Sequence, residues 1–85
     1  MAQVIVTFKV MPTGIEVDLD KLEKELKVAS HSERINREPI AFGLVAINVT
    51  VLVEDEGGRL ESMENKLKAV DGVGSIEVTE ITRAL

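Results

Sequence analysis

Few side chains in this 85-residue chain could do chemistry, and each lacks the neighbours its chemistry needs. The single histidine, His31, has no cysteine anywhere in the sequence to join it. It cannot anchor a zinc site, which gathers several nitrogen and sulfur ligands, and it reads as a solvated linker histidine. Glu54-Asp55-Glu56 concentrates carboxylates. A calcium loop, however, needs alternating oxygen ligands around a glycine turn and a distal Glu, and adjacent residues at a strand end point in opposite directions. This run reads as a solvated turn. Paired catalytic carboxylates would need a desolvated cleft to separate their pKa values, and nothing in the sequence suggests one. Ser30, Ser32, Ser62 and Ser75 have no neighbouring base at a readable spacing, so no activated nucleophile is visible. Gly57-Gly58 and Gly72-Val73-Gly74 lack the G-x-x-x-x-G-K-[ST] phosphate pattern. The expectation is a chain without catalytic residues, metal ligands or a cofactor site.

Phe42 poses a different question. An aromatic directly before a glycine, Phe42-Gly43, at a tight connection tends to stand out from the end of a sheet. It can be a plug at the end of the core, or an anchor that enters a partner's pocket, since exposed aromatics are favoured binding hot spots.

The elements that would position Phe42 are legible from periodicity. Val45, Ile47, Val49, Val51 and Val53 alternate on one side of a period-2 strand. Their β-branched side chains suit a half-buried pleated surface, so Leu44–Glu54 is expected to be a central strand fed by the Phe42-Gly43 turn. Val4, Val6, Phe8 and Val10 mark a first strand, which Pro12 and Gly14 end. A helix is expected over about Asp18 to Ala29. Asp18 would be its N-cap, and Val17 with Leu22 its hydrophobic staple. Leu19, Leu22, Leu26 and Ala29 would form its apolar face, with Asp20–Lys24 and Glu23–Lys27 as i,i+4 pairs outside. Ser30-His31-Ser32 reads as a linker. Glu33 to Phe42 alternates poorly and contains Pro39, so a strand there belongs at a sheet edge, paired antiparallel with the next. A second helix, Leu60 to Val70, repeats the spacing with Leu60, Met63, Leu67 and Val70. Glu64–Lys68 is its i,i+4 pair, and Asp71-Gly72 its exit with a C′ glycine. In the last strand, Ser75–Thr82, Ile81 falls out of phase with Ile76 and Val78, which suggests a bulge.

These pieces form a weak internal repeat, β-α-β-β-α-β. The expected fold is therefore an α+β, ferredoxin-like sandwich of residues 1–85, with a four-stranded antiparallel sheet and both helices on one face. The uncovered face would carry Ile5, Leu44, Ala46 and Leu52 beside Thr7, Asn48 and Thr50. It is either a contact surface or a scatter of exposed aliphatics.

Composition removes several function classes. The net charge of −5 argues against a phosphate-tracking nucleic-acid binder. With no Trp, no Tyr and only two Phe, base-stacking platforms are missing as well. No apolar run is long enough for a membrane span, and Met1-Ala2-Gln3 lacks the charged head of a signal peptide. The absence of cysteine permits a reducing cytosol and removes a disulfide framework.

The segment Pro39-Ile40-Ala41-Phe42-Gly43-Leu44, then Ile47-Asn48, then Val53-Glu54-Asp55, resembles the P-I-[GA]-F-G…I-N…V-E-D signature of the elongation factor 1-beta family. Val6 to Pro12 and Val17 to Leu22 fit as well, and the whole chain is similar to the short archaeal form, a single guanine-nucleotide-exchange domain. The resemblance implies a ferredoxin-like fold and exchange of GDP for GTP on elongation factor 1-alpha in the cytoplasm, without covalent chemistry. It also implies that Phe42 occupies the place of the phenylalanine that inserts into the GTPase, with Pro39, Ile40 and Gly43 around it. In eukaryotic members a lysine directly before the terminal leucine reaches toward the GTPase's magnesium and γ-phosphate site. Here Ala84 precedes Leu85, and the nearest base is Arg83. Either Arg83 substitutes from one residue earlier, or the mechanism rests on Phe42 and switch displacement alone. A neighbouring strand residue points to the opposite face unless the tail is no longer extended.

A rival expectation is a ferredoxin-like regulatory module that binds a small metabolite as a dimer through its sheet edges, although no polar ligand cluster sits near Gly14 or Gly57-Gly58. An acylphosphatase-like enzyme on the same fold would need an arginine in a phosphate loop after the first strand. Met11-Pro12-Thr13-Gly14 has none.

Overall fold

A computed structural model describes residues 3–32, 34–54 and 58–84. The elements are β1 (Gln3–Pro12), α1 (Leu19–Ser30), β2 (Arg34–Pro39), β3 (Val45–Glu54), α2 (Arg59–Lys68) and β4 (Val73–Ala84). The strands make one antiparallel sheet in the order β2-β3-β1-β4. This is the ferredoxin-like α+β sandwich, with the two β-branched-rich strands at its centre and the polar, proline-bearing β2 at an edge.

The alternating residues of β1 and β3 form the floor of the core. Register pairs Val6 with Val51, Phe8 with Val49 and Val10 with Ile47. All six are buried, together with Leu22 and Leu26 of α1 and Leu67 of α2. Phe8 is the largest of the fully buried side chains. Dry apolar contact between one face of the sheet and one stripe of each helix is therefore what holds the layers together.

Local chemistry sets the helix ends. The Asp18 carboxylate accepts from the Asp20 and Lys21 backbone N–H groups at 3.1 and 3.3 Å, satisfying two of the orphan donors of the first turn. At the other end the helix runs one residue further than its spacing suggested. Ser30 is buried in the last turn and its hydroxyl donates to the Leu26 carbonyl at 2.7 Å. His31 is the C-cap in left-handed backbone rather than part of a linker, its N–H donating to the Lys27 carbonyl. α2 stops earlier than expected, with Ala69 as C-cap. Gly72, at φ +96, serves the following turn instead, where a Cβ would press on Val17 at 3.3 Å.

The last strand is longer than expected and does carry the bulge. The register on β1 shifts between Thr7, opposite Glu80, and Phe8, opposite Val78. Thr79 is the extra residue, and its hydroxyl donates to the Thr7 carbonyl at 3.2 Å. The bulge returns Ile81 to the helix-side face, opposite Val6.

The exposed acids of α1 do not pair along the helix. Asp20 and Glu23 both accept from the Arg37 guanidinium on β2, Glu23 at 2.8 Å from Nε. This fork fastens the edge strand to the helix. Glu64–Lys68 on α2 is present at 3.4 Å. Hydrogen bonds to Asp20 and then Glu23 raise the Arg37 pKa above its ordinary value. A raised folded-state pKa contributes stability below the unfolded-state value and loses it only as pH rises through the folded one, far into alkali for a guanidinium. Arg37→Met is therefore expected to lower the melting temperature by the same margin throughout neutral pH. That margin should shrink as added salt screens an exposed pair. Melting curves at low and high salt measure it, and a margin indifferent to salt would contradict the assignment.

Candidate functional site

The β2–β3 connection is a hairpin loop of residues 40–44 that turns tightly at Phe42-Gly43. The Leu44 N–H donates to the Ala41 carbonyl and the Ile40 N–H to the Leu44 carbonyl, both at 2.9 Å. The central residues, Phe42 and Gly43, have φ of +54 and +79, the signature of a type I′ turn, whose twist matches that of the strands it joins. Glycine takes this conformation freely. Phenylalanine does not, because its Cβ crowds the following carbonyl at a cost of about 1–2 kcal/mol. The Phe42 ring recovers none of that cost by packing, since the residue is 97% exposed. It is not a core-end plug. Strain held at a fully exposed aromatic is the kind of local cost that function retains.

The segment that forms this tip carries no charge of its own. No Asp, Glu, Lys or Arg lies between Pro39 and Val53, in a chain that is 29% charged. Ile40 is 40% exposed beside the turn, and Pro39 closes the strand pairing opposite Val45. A surface of this kind carries no ions to be desolvated when it is covered.

Arg83 lies at the opposite end. It pairs with Val4, which pairs in turn with Val53. Val53 is eight residues along β3 from Val45, so Arg83 stands about 26 Å from the base of the hairpin at the usual strand rise. The structure therefore brings Pro39, Ile40, Phe42 and Gly43 together and places Arg83 and Ala84 apart from them. Leu85 lies outside the described residues, as do Asp55, Glu56 and Gly57. β4 stays extended through Ala84. Arg83 thus shares the helix-side face with Val4 and is one residue out of phase with position 84.

The uncovered sheet face does not form one apolar surface. Ile5 and Leu52 are partners at one end, but Thr7 with Thr50 and Lys9 with Asn48 separate them from Ala46. The threonine hydroxyls meet at 3.3 Å, and the Asn48 amide donates to Glu38 at 3.0 Å. Ala46 is fully buried. The face reads as a shallow polar groove with scattered aliphatics.

Among the described residues, no group of three or more His, Asp or Glu is placed to hold a metal ion, and no helix is long and apolar enough to cross a membrane. One exposed residue escaped the sequence reading. Ile15, in the β1–α1 loop, is 71% exposed, and its Cγ2 lies 3.6 Å from where a Cβ on Gly43 would sit. The only sequence signal for it was an apolar residue in the short loop between β1 and α1, directly before Glu16.

The family model for the EF-1 guanine nucleotide exchange domain matches residues 5–84. The chain is 44% identical to a protein of Methanothermobacter thermautotrophicus, and 43% identical to one of Methanosphaera stadtmanae, over the whole of both chains in each case. It is 41% identical to one of Natronomonas pharaonis over 98% of this chain and 99% of the other. Each of these relatives is named elongation factor 1-beta.

Proposed function

The chain belongs to the EF-1 guanine nucleotide exchange domain family, and on that premise we propose that it promotes replacement of GDP by GTP on elongation factor 1-alpha during translation elongation in the cytoplasm. The observation that carries the site assignment is Phe42, fully exposed in strained left-handed backbone on a charge-free tip.

Exchange of this kind makes and breaks no covalent bond. The factor binds the nucleotide-free GTPase more tightly than the loaded one, and by reciprocity the bound factor weakens the nucleotide to the same degree. Each tenfold weakening takes about 1.4 kcal/mol of that preference. A wedge suits the task if it is stiff and costs little to bury. The hairpin is held by its two cross-turn hydrogen bonds, and the ring leaves water without uncovering a charge. Arg83, about 26 Å away by strand rise, makes a second and separate contact, so the partner is gripped at both ends of the sheet. The net charge of −5 suits a basic docking surface and speeds encounter at low salt.

The metabolite-binding dimer finds no support in the sheet edges. β2 presents Arg34, Arg37 and Glu38 and ends in Pro39, while β4 is bulged at Thr79. These are features that discourage edge-to-edge pairing.

The test is release of fluorescent GDP from elongation factor 1-alpha with excess GTP, with and without this chain. Acceleration at substoichiometric amounts is expected, and an unchanged rate would refute the function. In the same assay Arg83→Ala is expected to lower the exchange rate by about threefold, the scale of a rim charge that steers more than it anchors. The defect should fade as salt rises.

A further inference from the structure

Building on the docking role of the hairpin, we infer that the surface entering the GTPase is made of two loops, and that Ile15 is its second anchor, seated with Phe42 in one apolar depression of the partner. Ile15 belongs to the β1–α1 loop and is far from the hairpin in sequence. The fold brings it against Gly43, the covalent neighbour of Phe42: the Cγ2 methyl is 3.6 Å from a Cβ built there. Ile15, Gly43 and Phe42 therefore form a continuous apolar run across two loops.

The exposures exclude a purely internal role. Ile15 is 71% exposed and Phe42 97%, so neither side chain is held in place mainly by its own core. Ile40, at 40%, extends the same end of the molecule. The hairpin loop is uncharged from Pro39 to Leu44, and on the β1–α1 loop Ile15 is followed by Glu16, whose carboxylate folds back over Gly14, so the apolar pair is bordered by a single acid on one side. Clustered, charge-free aliphatic and aromatic groups at a protruding end are what the centre of a protein interface presents. The other exposed aliphatics lack this setting. Val28 stands on a helix between Lys27 and Ala29, Leu52 lies in the polar groove of the open sheet face, and Ile81 lies on β4 beside Glu80, opposite Val6 and away from the hairpin end of the sheet. The occupant is the GTPase that Phe42 engages, because the patch is continuous with that contact. The matching partner feature is a depression wide enough for an aromatic ring and a branched aliphatic side by side.

The experiment is a concentration series of the full chain in the fluorescent-GDP release assay, for wild type, Ile15→Ser, Ile15→Leu, Phe42→Ala and the Ile15→Ser/Phe42→Ala double variant. Ile15→Ser is expected to raise the half-maximal concentration by about tenfold, in the range of an interface anchor. Ile15→Leu should recover most of that loss. The double variant should lose less than the product of the two single losses, because the two side chains share one pocket. Hydrogen-exchange protection of the Ile40 and Leu44 amides, the donors that close the turn, should be unchanged in Ile15→Ser. If Ile15→Ser stays within twofold of wild type while Phe42→Ala is impaired, the second anchor is refuted and the hairpin reading stands. If Phe42→Ala is also unimpaired, the hairpin reading itself fails. Loss of that protection with no rescue by Ile15→Leu would make Ile15 a prop for the turn and would also overturn the inference.

Discussion

Replacing Phe42 with asparagine is expected to make the fold more stable and the exchange activity negligible. Asparagine tolerates left-handed backbone, and Asn-Gly is the preferred pair for a type I′ hairpin. The φ of +54 at position 42 would then be held by a residue suited to it, recovering about 1 kcal/mol of the strain that phenylalanine bears there. Nothing offsets this gain on the folded side, because the ring touches almost no other part of the chain. On the partner side the loss is that of a central aromatic anchor, about 2–4 kcal/mol, so the half-maximal concentration for exchange should rise at least about thirtyfold. Denaturant titration measures the first effect and fluorescent-GDP release the second. A variant with unchanged exchange, or one less stable than wild type, would show that the strain at position 42 is not retained for binding.

That opposition between stability and activity was half visible in the amino-acid order. Phe42-Gly43 between a proline and an alternating apolar run identified a tight turn bearing an aromatic. It left open whether the ring turns inward or outward, because that depends on the hairpin's twist and on which residue takes the first left-handed position. The strands and the core face were legible for a simpler reason: period-2 alternation in Val6, Phe8, Val10 and again in Ile47, Val49, Val51 survives any choice of topology. The bulge near Ile81 was legible as a break in phase, but not its consequence. Only the register against β1 shows that Thr79 is the extra residue, and that Arg83 shares a face with Val4. Contacts between distant segments were the hardest to foresee. Asp20 and Glu23 suggested helix-surface pairs with lysines one turn on, worth only a few tenths of a kcal/mol. A guanidinium fork arriving from β2 displaced that pattern. Ile15 meets Gly43 only after the sheet has formed.

The other phenylalanine supplies the contrasting prediction. Phe8→Ala is expected to cost about 3–5 kcal/mol, the range for emptying a buried aromatic site. At about 0.05–0.15 kcal/mol per residue, an 85-residue domain has about 4–13 kcal/mol in all, so the variant sits at or near the threshold of unfolding. The loss should be toward the upper end, because the site cannot readily collapse. Val49 and Val78 flank Phe8 across both neighbouring strands, and their positions are set by backbone ladders. Leu22, Leu26 and Leu67 complete the buried cluster from helices seated on the same sheet face. Thermal unfolding is expected to shift down by about 12–40 °C at the usual 4–8 °C per kcal/mol for a domain this size. The residual folded fraction should still exchange nucleotide with wild-type affinity per folded molecule, since the Phe42 turn and Ile15 both lie outside the buried cluster that Phe8 belongs to. A drop of only a few degrees would mean that the core repacks around the void, and that the sheet is less rigid than a wedge requires. The same side chain thus has opposite consequences at two positions. At position 8 its loss destabilises the fold and spares the tip, and at position 42 its loss spares the fold and removes the contact that an exchange factor needs.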